Sequence, residues 1–173
     1  NATEDVTLTG SEWTARDRIN VHADRDLTIQ RDTQTETTAG GERSLLGKPS
    51  WLRVWEERGT MELSANRDTT ITGSNIENQG DGDTIIRAGN NLDIGATQTG
   101  HTFSNGRSTS SVVENTGSNI EAGGRLKLLA DNDLTFNGSR ANADGDVIVR
   151  AENNLTIGTT TDEDNYQANG RNN

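Results

Sequence analysis

The sequence predicts an all-β chain wound as a right-handed parallel β-helix. Three observations carry this expectation: a period close to 21 residues, short strands that alternate apolar and polar residues within it, and turns of glycine, asparagine and aspartate.

Three elements recur in fixed order. One is a short strand opened by Asp or Asn, as in Asp26-Leu-Thr-Ile29, Asp68-Thr-Thr-Ile71, Asn91-Leu-Asp-Ile94 and Asp133-Leu-Thr-Phe136. Just upstream of it lies a strand ending in alanine, as in Ile19-Asn-Val-His-Ala23, Met61-Glu-Leu-Ser-Ala65 and Leu126-Lys-Leu-Leu-Ala130. The third begins with Gly-Ser, as in Gly73-Ser-Asn-Ile76 and Gly117-Ser-Asn-Ile120. Alternation gives each strand one inward face: Ile19, Val21 and Ala23 inward with Asn20 and His22 outward, and Leu27 and Ile29 inward with Thr28 outward. The turns between strands carry Gly, Asn and Asp, residues that tolerate left-handed backbone conformations. Val21, Leu63, Leu128 and Val149 are expected to form one column along the axis, and Trp13, in the slot of Ile76 and Ile120, to lie in the core.

Successive alanines of the second element are separated by 42, 23, 42 and 21 residues, so alternate coils carry an extra stretch about one period long. The extra residues follow Ile29 and Ile94, whereas Ile71 and Phe136 pass almost directly to Gly-Ser. Equal length allows each insert to be a further coil. Composition favours a β-hairpin: Thr97–Thr116 has neither an alanine strand nor an Asp/Asn strand and centres on Asn105-Gly106, and the earlier insert centres on Gly40-Gly41. The chain therefore reads as one β-helix unit over 1–173 with hairpins leaving one corner at 31–51 and 97–116, and with a third insert beginning at 159–173. Two coils set the hairpins roughly 9.6 Å apart, a separation expected to preclude backbone pairing between them.

Only 28% of residues are hydrophobic and 3% aromatic, with a mean hydropathy of −0.83. That suits a thin core in which every coil touches solvent. A net charge of −11 repels phosphate backbones, so nucleic acid is not an expected partner. No apolar run approaches the roughly 20 residues of a membrane-spanning helix. Residue 1 opens no signal peptide, so the chain reads as an internal piece of a larger secreted surface protein whose shaft continues past both ends, leaving the terminal coils uncapped.

The phrases Gly117-Ser-Asn-Ile-Glu-Ala-Gly-Gly124, Ala88-Gly-Asn-Asn-Leu-Asp-Ile-Gly-Ala96 and Ala151-Glu-Asn-Asn-Leu-Thr-Ile-Gly158 resemble the haemagglutinin repeats of two-partner-secretion exoproteins. That family includes filamentous haemagglutinin and the contact-dependent growth inhibition toxins. The resemblance covers essentially the whole chain; Trp51-Leu-Arg-Val-Trp55 departs from the small polar pattern. It implies a virulence-associated filament, secreted to the surface of a Gram-negative cell through an outer-membrane transporter. It also implies a receptor or envelope component on a neighbouring or host cell as a possible partner. Coils alternating with inserts look more like the second repeat region of the toxins than a plain shaft.

No catalytic, cofactor-binding or metal-binding residue is assigned. Asp81-Gly-Asp83 and Asp144-Gly-Asp146 lack the tandem glycines or the bidentate glutamate of calcium loops and read as turns. Polysaccharide-cleaving β-helices use paired carboxylates, but the carboxylates here sit at repeat turns. His22 and His101 have no second histidine at metal-binding spacing, and Ser110 and Ser111 lack a nucleophile elbow. Trp51 and Trp55 read either as an exposed binding patch or as packing of a hairpin base on the shaft. The expected function is a non-enzymatic structural segment serving growth-inhibition toxin delivery or adhesion. An adhesin module binding glycan or protein through its hairpins is the alternative, and a polysaccharide-cleaving β-helix ranks below both.

Overall fold

A computed structural model describes residues 2–168. Asn1 and positions 169–173 of the expected third insert lie outside the described residues.

Five coils and the start of a sixth follow one another along the chain. The first holds β1 (Val6–Thr9), β2 (Glu12–Ala15) and β3 (Arg18–Ala23). The second holds β4 (Leu27–Gln30), then β5 (Thr33–Thr38) and β6 (Gly41–Leu46), then β7 (Trp51–Val54) and β8 (Thr60–Ala65). The third is again plain, with β9 (Thr69–Thr72), β10 (Asn75–Asn78) and β11 (Thr84–Ala88). In the fourth, β12 (Leu92–Gly95) is followed by β13 (Thr97–Ser104) and β14 (Ser108–Thr116), then by β15 (Asn119–Ala122) and β16 (Leu126–Ala130). The fifth comprises β17 (Leu134–Asn137), β18 (Arg140–Ala143) and β19 (Val147–Ala151); β20 (Leu155–Gly158) and β21 (Glu163–Ala168) open the sixth.

Equivalent strands stack in parallel. The sheets run β1-β4-β9-β12-β17-β20, β2-β7-β10-β15-β18 and β3-β8-β11-β16-β19, and together they form the walls of a parallel β-helix. Register keeps like residues above one another. Val21 pairs with Leu63, Leu63 with Ile86, Ile86 with Leu128 and Leu128 with Val149. The alanines form a second column: Ala23, Ala65, Ala88, Ala130 and Ala151. In the middle coils these positions are sealed from solvent, as are Leu52, Ile76, Ile120, Leu92 and Leu134 in the other walls. Thr69 sits in a leucine column, and its hydroxyl donates to the Arg87 carbonyl (2.9 Å), so no buried polar atom is left unpaired there.

Burial falls off on some of the outermost strands, though not on β1 or β3, where Leu8 and Val21 stay buried. Leu134 has one on each side and is 0% exposed, whereas Leu155, next above it in the column, is 49% exposed. The same reason corrects the expectation for Trp13. It does pair with Leu52 in the inward column, but β2 is the outermost strand of its sheet among the described residues, and the indole is 44% exposed.

The turns divide their work between two kinds of residue. Among the described residues only glycines have positive φ, and the Asp and Asn residues act through their side chains instead. In the plain coils, Gly10, Gly73 and Gly138 take φ of 54, 55 and 58° and turn the chain directly from the first wall into the second.

Leu128 and Leu129 test this division into core and surface, since they are adjacent on β16 but face opposite ways. Leu128→Ala should cost about 2–5 kcal/mol. Leu129→Ala should cost less than about 1 kcal/mol. Denaturant titration of both variants measures the difference; equal losses would contradict the core assignment.

Candidate interaction surface

After Ile29 and Ile94 the chain leaves the shaft. Strands β5 and β6 pair antiparallel from Thr33–Leu46 at the base to Thr38–Gly41 at the tip; β13 and β14 pair from Thr97–Thr116 to Ser104–Thr109. Both inserts are hairpins, rich in threonine and serine. The second turns one residue later than an Asn-Gly centre would place it: the Asn105 N–H donates to the Ser108 carbonyl (3.2 Å), so Gly106 and Arg107 occupy the centre. Gly106 has φ +77°, as a glycine-first two-residue loop requires.

The two hairpins pair directly, which corrects the expectation that they lie too far apart. Gly100, His101, Thr102 and Phe103 of β13 oppose Ser44, Arg43, Glu42 and Gly41 of β6. The expectation treated each hairpin as a single object at one height. A hairpin is two strands, each about 4.8 Å from its neighbour, so it fills the two-coil rise of about 9.6 Å. A lateral antiparallel sheet, β5-β6-β13-β14-β21, therefore runs beside the shaft, with β21 pairing β14 as the next strand. Close approach at the seam requires glycine: a Cβ on Gly41 would lie 1.8 Å from the Thr102 carbonyl oxygen, and one on Gly40 2.5 Å from the Phe103 ring. The Gly100 N–H donates to Ser44 Oγ (2.9 Å) across the same seam.

A serine column fastens the sheet to the shaft. Ser11, Ser50, Ser74, Ser118 and Ser139 each precede the second wall's strand and stack in register. In plain coils the hydroxyl reaches back two residues, as from Ser74 to the Thr72 carbonyl (2.9 Å). In hairpin coils it bridges the hairpin's base. Ser50 Oγ lies 2.8 Å from the Gln30 carbonyl oxygen and 3.1 Å from that of Leu8; Ser118 Oγ lies 2.9 Å from the Gly95 oxygen and 3.3 Å from that of Ile71. Sequence reasoning saw the Gly-Ser phrase but not this role, although the serine's recurrence at the same corner of each coil was the available signal. Pro49 occupies the glycine slot of the hairpin coil, where no left-handed residue is needed.

The tryptophans of the departing phrase belong to the shaft. Trp51 begins β7, half-buried, with the Arg53 guanidinium 4.4 Å from its ring centroid. Trp55 lies just past β7, 50% exposed, with Arg16 at 5.7 Å. Both follow the first hairpin's base pair, Thr33–Leu46, in the chain. His22 is half-buried, with Nδ1 2.9 Å from Ser64 Oγ. His101 is exposed on β13 opposite Arg43, and Ser110 and Ser111 lie on β14. The fold brings none of these together into a reactive cluster.

The turn carboxylates form a ladder. Each Asp or Asn that opens a first-wall strand accepts the backbone N–H of its counterpart one coil on: Asp26 to Asp5 (3.2 Å), Asp68 to Asp26 (3.3 Å), Asn91 to Asp68 (3.0 Å), Asp133 to Asn91 (3.3 Å) and Asn154 to Asp133 (3.1 Å). The side chain just before each counterpart donates as well: Arg25, Arg67, Asn90, Asn132 and Asn153. Asp83, of the Asp-Gly-Asp turn, is taken by Lys127 Nζ (2.6 Å) and Arg125 Nε (3.0 Å) of the following coil. The guanidinium of Arg25 holds the Asp5 carboxyl below the ordinary range, that of Arg67 does so for Asp26, and Lys127 then Arg125 for Asp83, each outweighing the opposing effect of burial.

Shaft and lateral sheet together define a β-solenoid repeat protein. Residues 100–173 match the family model described as hemagglutinin repeat, which supports a structural repeat of the filamentous haemagglutinin type over that part of the chain. Such proteins are secreted or cell-surface bacterial proteins within the two-partner secretion context. No curated protein and no solved structure matches the chain.

The carboxylate ladder makes stability depend on acid. Because the folded-state pKa values of Asp5, Asp26 and Asp83 are lowered, the folded chain binds protons less tightly than the unfolded one. Their contribution is present above the unfolded carboxylate value near 4 and is lost as pH falls through the lower folded values. Arg67→Ala should therefore lower stability most at neutral pH, and its difference from the unaltered chain should shrink below about pH 4. Denaturant midpoints across pH read this directly; a pH-independent difference would refute it.

Proposed function

We propose that this chain is a non-catalytic rod segment of an exoprotein that serves contact-dependent growth inhibition toxin delivery or adhesion, exported by an outer-membrane transporter to the surface of a Gram-negative cell. The observation that carries this reading is the junction of a three-walled shaft and a lateral sheet that each extend by adding like units. Every coil continues three walls, and every second coil continues the lateral sheet. Stability then comes from nearest neighbours, and folding can advance unit by unit as the chain emerges from a transporter. The carboxylates are engaged in coil-to-coil hydrogen bonds, which supports a structural role for them over general acid–base work.

An adhesin reading has one observation in its favour. Phe103, Ser110 and Tyr166 form one cross-strand row of the lateral sheet, with the two aromatic rings 46% and 72% exposed. They stand two strand spacings apart on one face, about 9.6 Å, amid hydroxyl side chains.

Deleting residues 96–116 separates shaft from sheet. It joins Ile94-Gly95 to Gly117-Ser118, the spacing of Ile71-Thr72-Gly73-Ser74 in a plain coil. Small-angle scattering should show an unchanged rod length and a thinner cross-section. A loss near 4.8 Å, one coil, would make residues 96–116 part of the shaft and contradict the hairpin reading. On a glycan array the unaltered chain should retain nothing, and polysaccharide lyase and hydrolase assays should show no turnover. Glycan retention abolished by Phe103→Ala would favour the adhesin module instead.

A further inference from the structure

Two Asn-Gly pairs lie within the described residues, and the fold treats them oppositely. Asn137-Gly138 is at the corner of the fifth coil: the Gly138 N–H donates to the Gly158 carbonyl (3.2 Å), and Asn137 Oδ1 is buried. Asn105-Gly106 is at the tip of the second hairpin, with Asn105, Gly106 and Arg107 all exposed. There Asn105 Oδ1 accepts the N–H groups of Arg107 (3.0 Å) and Ser108 (2.8 Å) and the Ser108 hydroxyl (3.2 Å). Among the described residues neither Gly106 N nor Asn105 Nδ2 has a hydrogen-bond partner, and a Cβ built on Gly106 would meet nothing within 4 Å.

We propose that Asn105 is a site of self-modification, at which the hairpin tip converts its own asparagine to aspartate and isoaspartate with water as the only co-reactant. Gly106 N gives its proton to solvent hydroxide and attacks Cγ of Asn105. Charge passing to Oδ1 in the tetrahedral intermediate falls where two backbone N–H groups and a hydroxyl already point, as donors do in an oxyanion hole. The Cγ–Nδ2 bond breaks, and Nδ2 takes a proton from water and leaves as ammonia. Water then opens the five-membered imide at either carbonyl. Opening at one side gives an aspartate in the ordinary backbone; opening at the other routes the backbone through the former side chain and lengthens it by one carbon. Either product adds a negative charge to the tip. The isoaspartate also alters the spacing on which the Ser104–Thr109 closing pair depends, so the tip of the lateral sheet loosens while the shaft does not.

Asn137 reacts through the same chemistry only when a coil opens, because its glycine nitrogen is committed to the stack and its amide oxygen is enclosed. The purified chain is incubated in mildly alkaline buffer, and both Asn-Gly peptides are followed by mass spectrometry, with isoaspartate resolved by chromatography. Asn105 should convert at least roughly ten-fold faster than Asn137 in the folded chain, the opening requirement setting the gap. In denaturant, where both pairs share the same local sequence chemistry, the two rates should converge. Equal rates in the folded chain, or an Asn105 as inert as Asn137, would overturn the proposal. Asn105→Gln should abolish the change at the tip and leave the slow reaction at Asn137 unaltered; persistence of the tip product in that variant would also overturn it.

Discussion

The distance between hydrogen-bonded strands, about 4.8 Å, governs this molecule twice. Along the shaft it sets the rise from one coil to the next. In the lateral sheet it sets the rise from one hairpin strand to the next. A hairpin cannot occupy less than two such spacings, so hairpins on every coil would collide, and hairpins on every third coil would leave an unpaired gap. One hairpin per two coils is the density at which both sheets extend without strain. The alternation of plain and interrupted coils in the sequence is the imprint of that match.

The two sheets contribute unequally to stability. The shaft encloses columns of leucine, isoleucine and alanine sealed by strands above and below. The lateral sheet has solvent on both faces and is built mostly of threonine, serine and charged residues. A free hairpin of that composition is marginal in water. Here it is anchored at its base by a buried serine, registered by its neighbours and set at the correct height by the coil it leaves. Its integrity depends on the shaft, whereas the shaft's core makes no use of it.

Period, strand order and inward faces were legible in the sequence because each repeats in isolation: one coil's alternation already marks the buried side. The hairpins were legible from composition, since Thr97–Thr116 lacks both shaft strands. Pairing between the hairpins was not, because it depends on how tall a hairpin is relative to a coil, a relation no local pattern expresses. Trp13 was misread for a related reason, as its slot is apolar and inward but enclosure depends on the strand beyond. The Asp/Asn ladder was half legible. The residues recur at fixed spacing, yet their bonds cross from coil to coil, and the partner just before each, arginine in some coils and asparagine in others, hides the common role.

A sequence without cysteine allows the central claim to be tested on a clean background. Glu42 and Thr102 face each other across the seam between hairpins. In a chain carrying Glu42→Cys and Thr102→Cys, the two thiols should oxidise to a disulfide in the folded state. Directly opposed antiparallel residues have Cα atoms about 4.5–5.5 Å apart, within the span a disulfide bridges. Hairpins standing separately at a two-coil distance, about 9.6 Å, lie outside that span. Ready cross-linking between positions 42 and 102 of the doubly substituted chain is the predicted result. Failure to cross-link there, while the pair Thr37→Cys and Glu42→Cys within the first hairpin oxidises normally, would contradict a lateral sheet built at the pitch of the shaft.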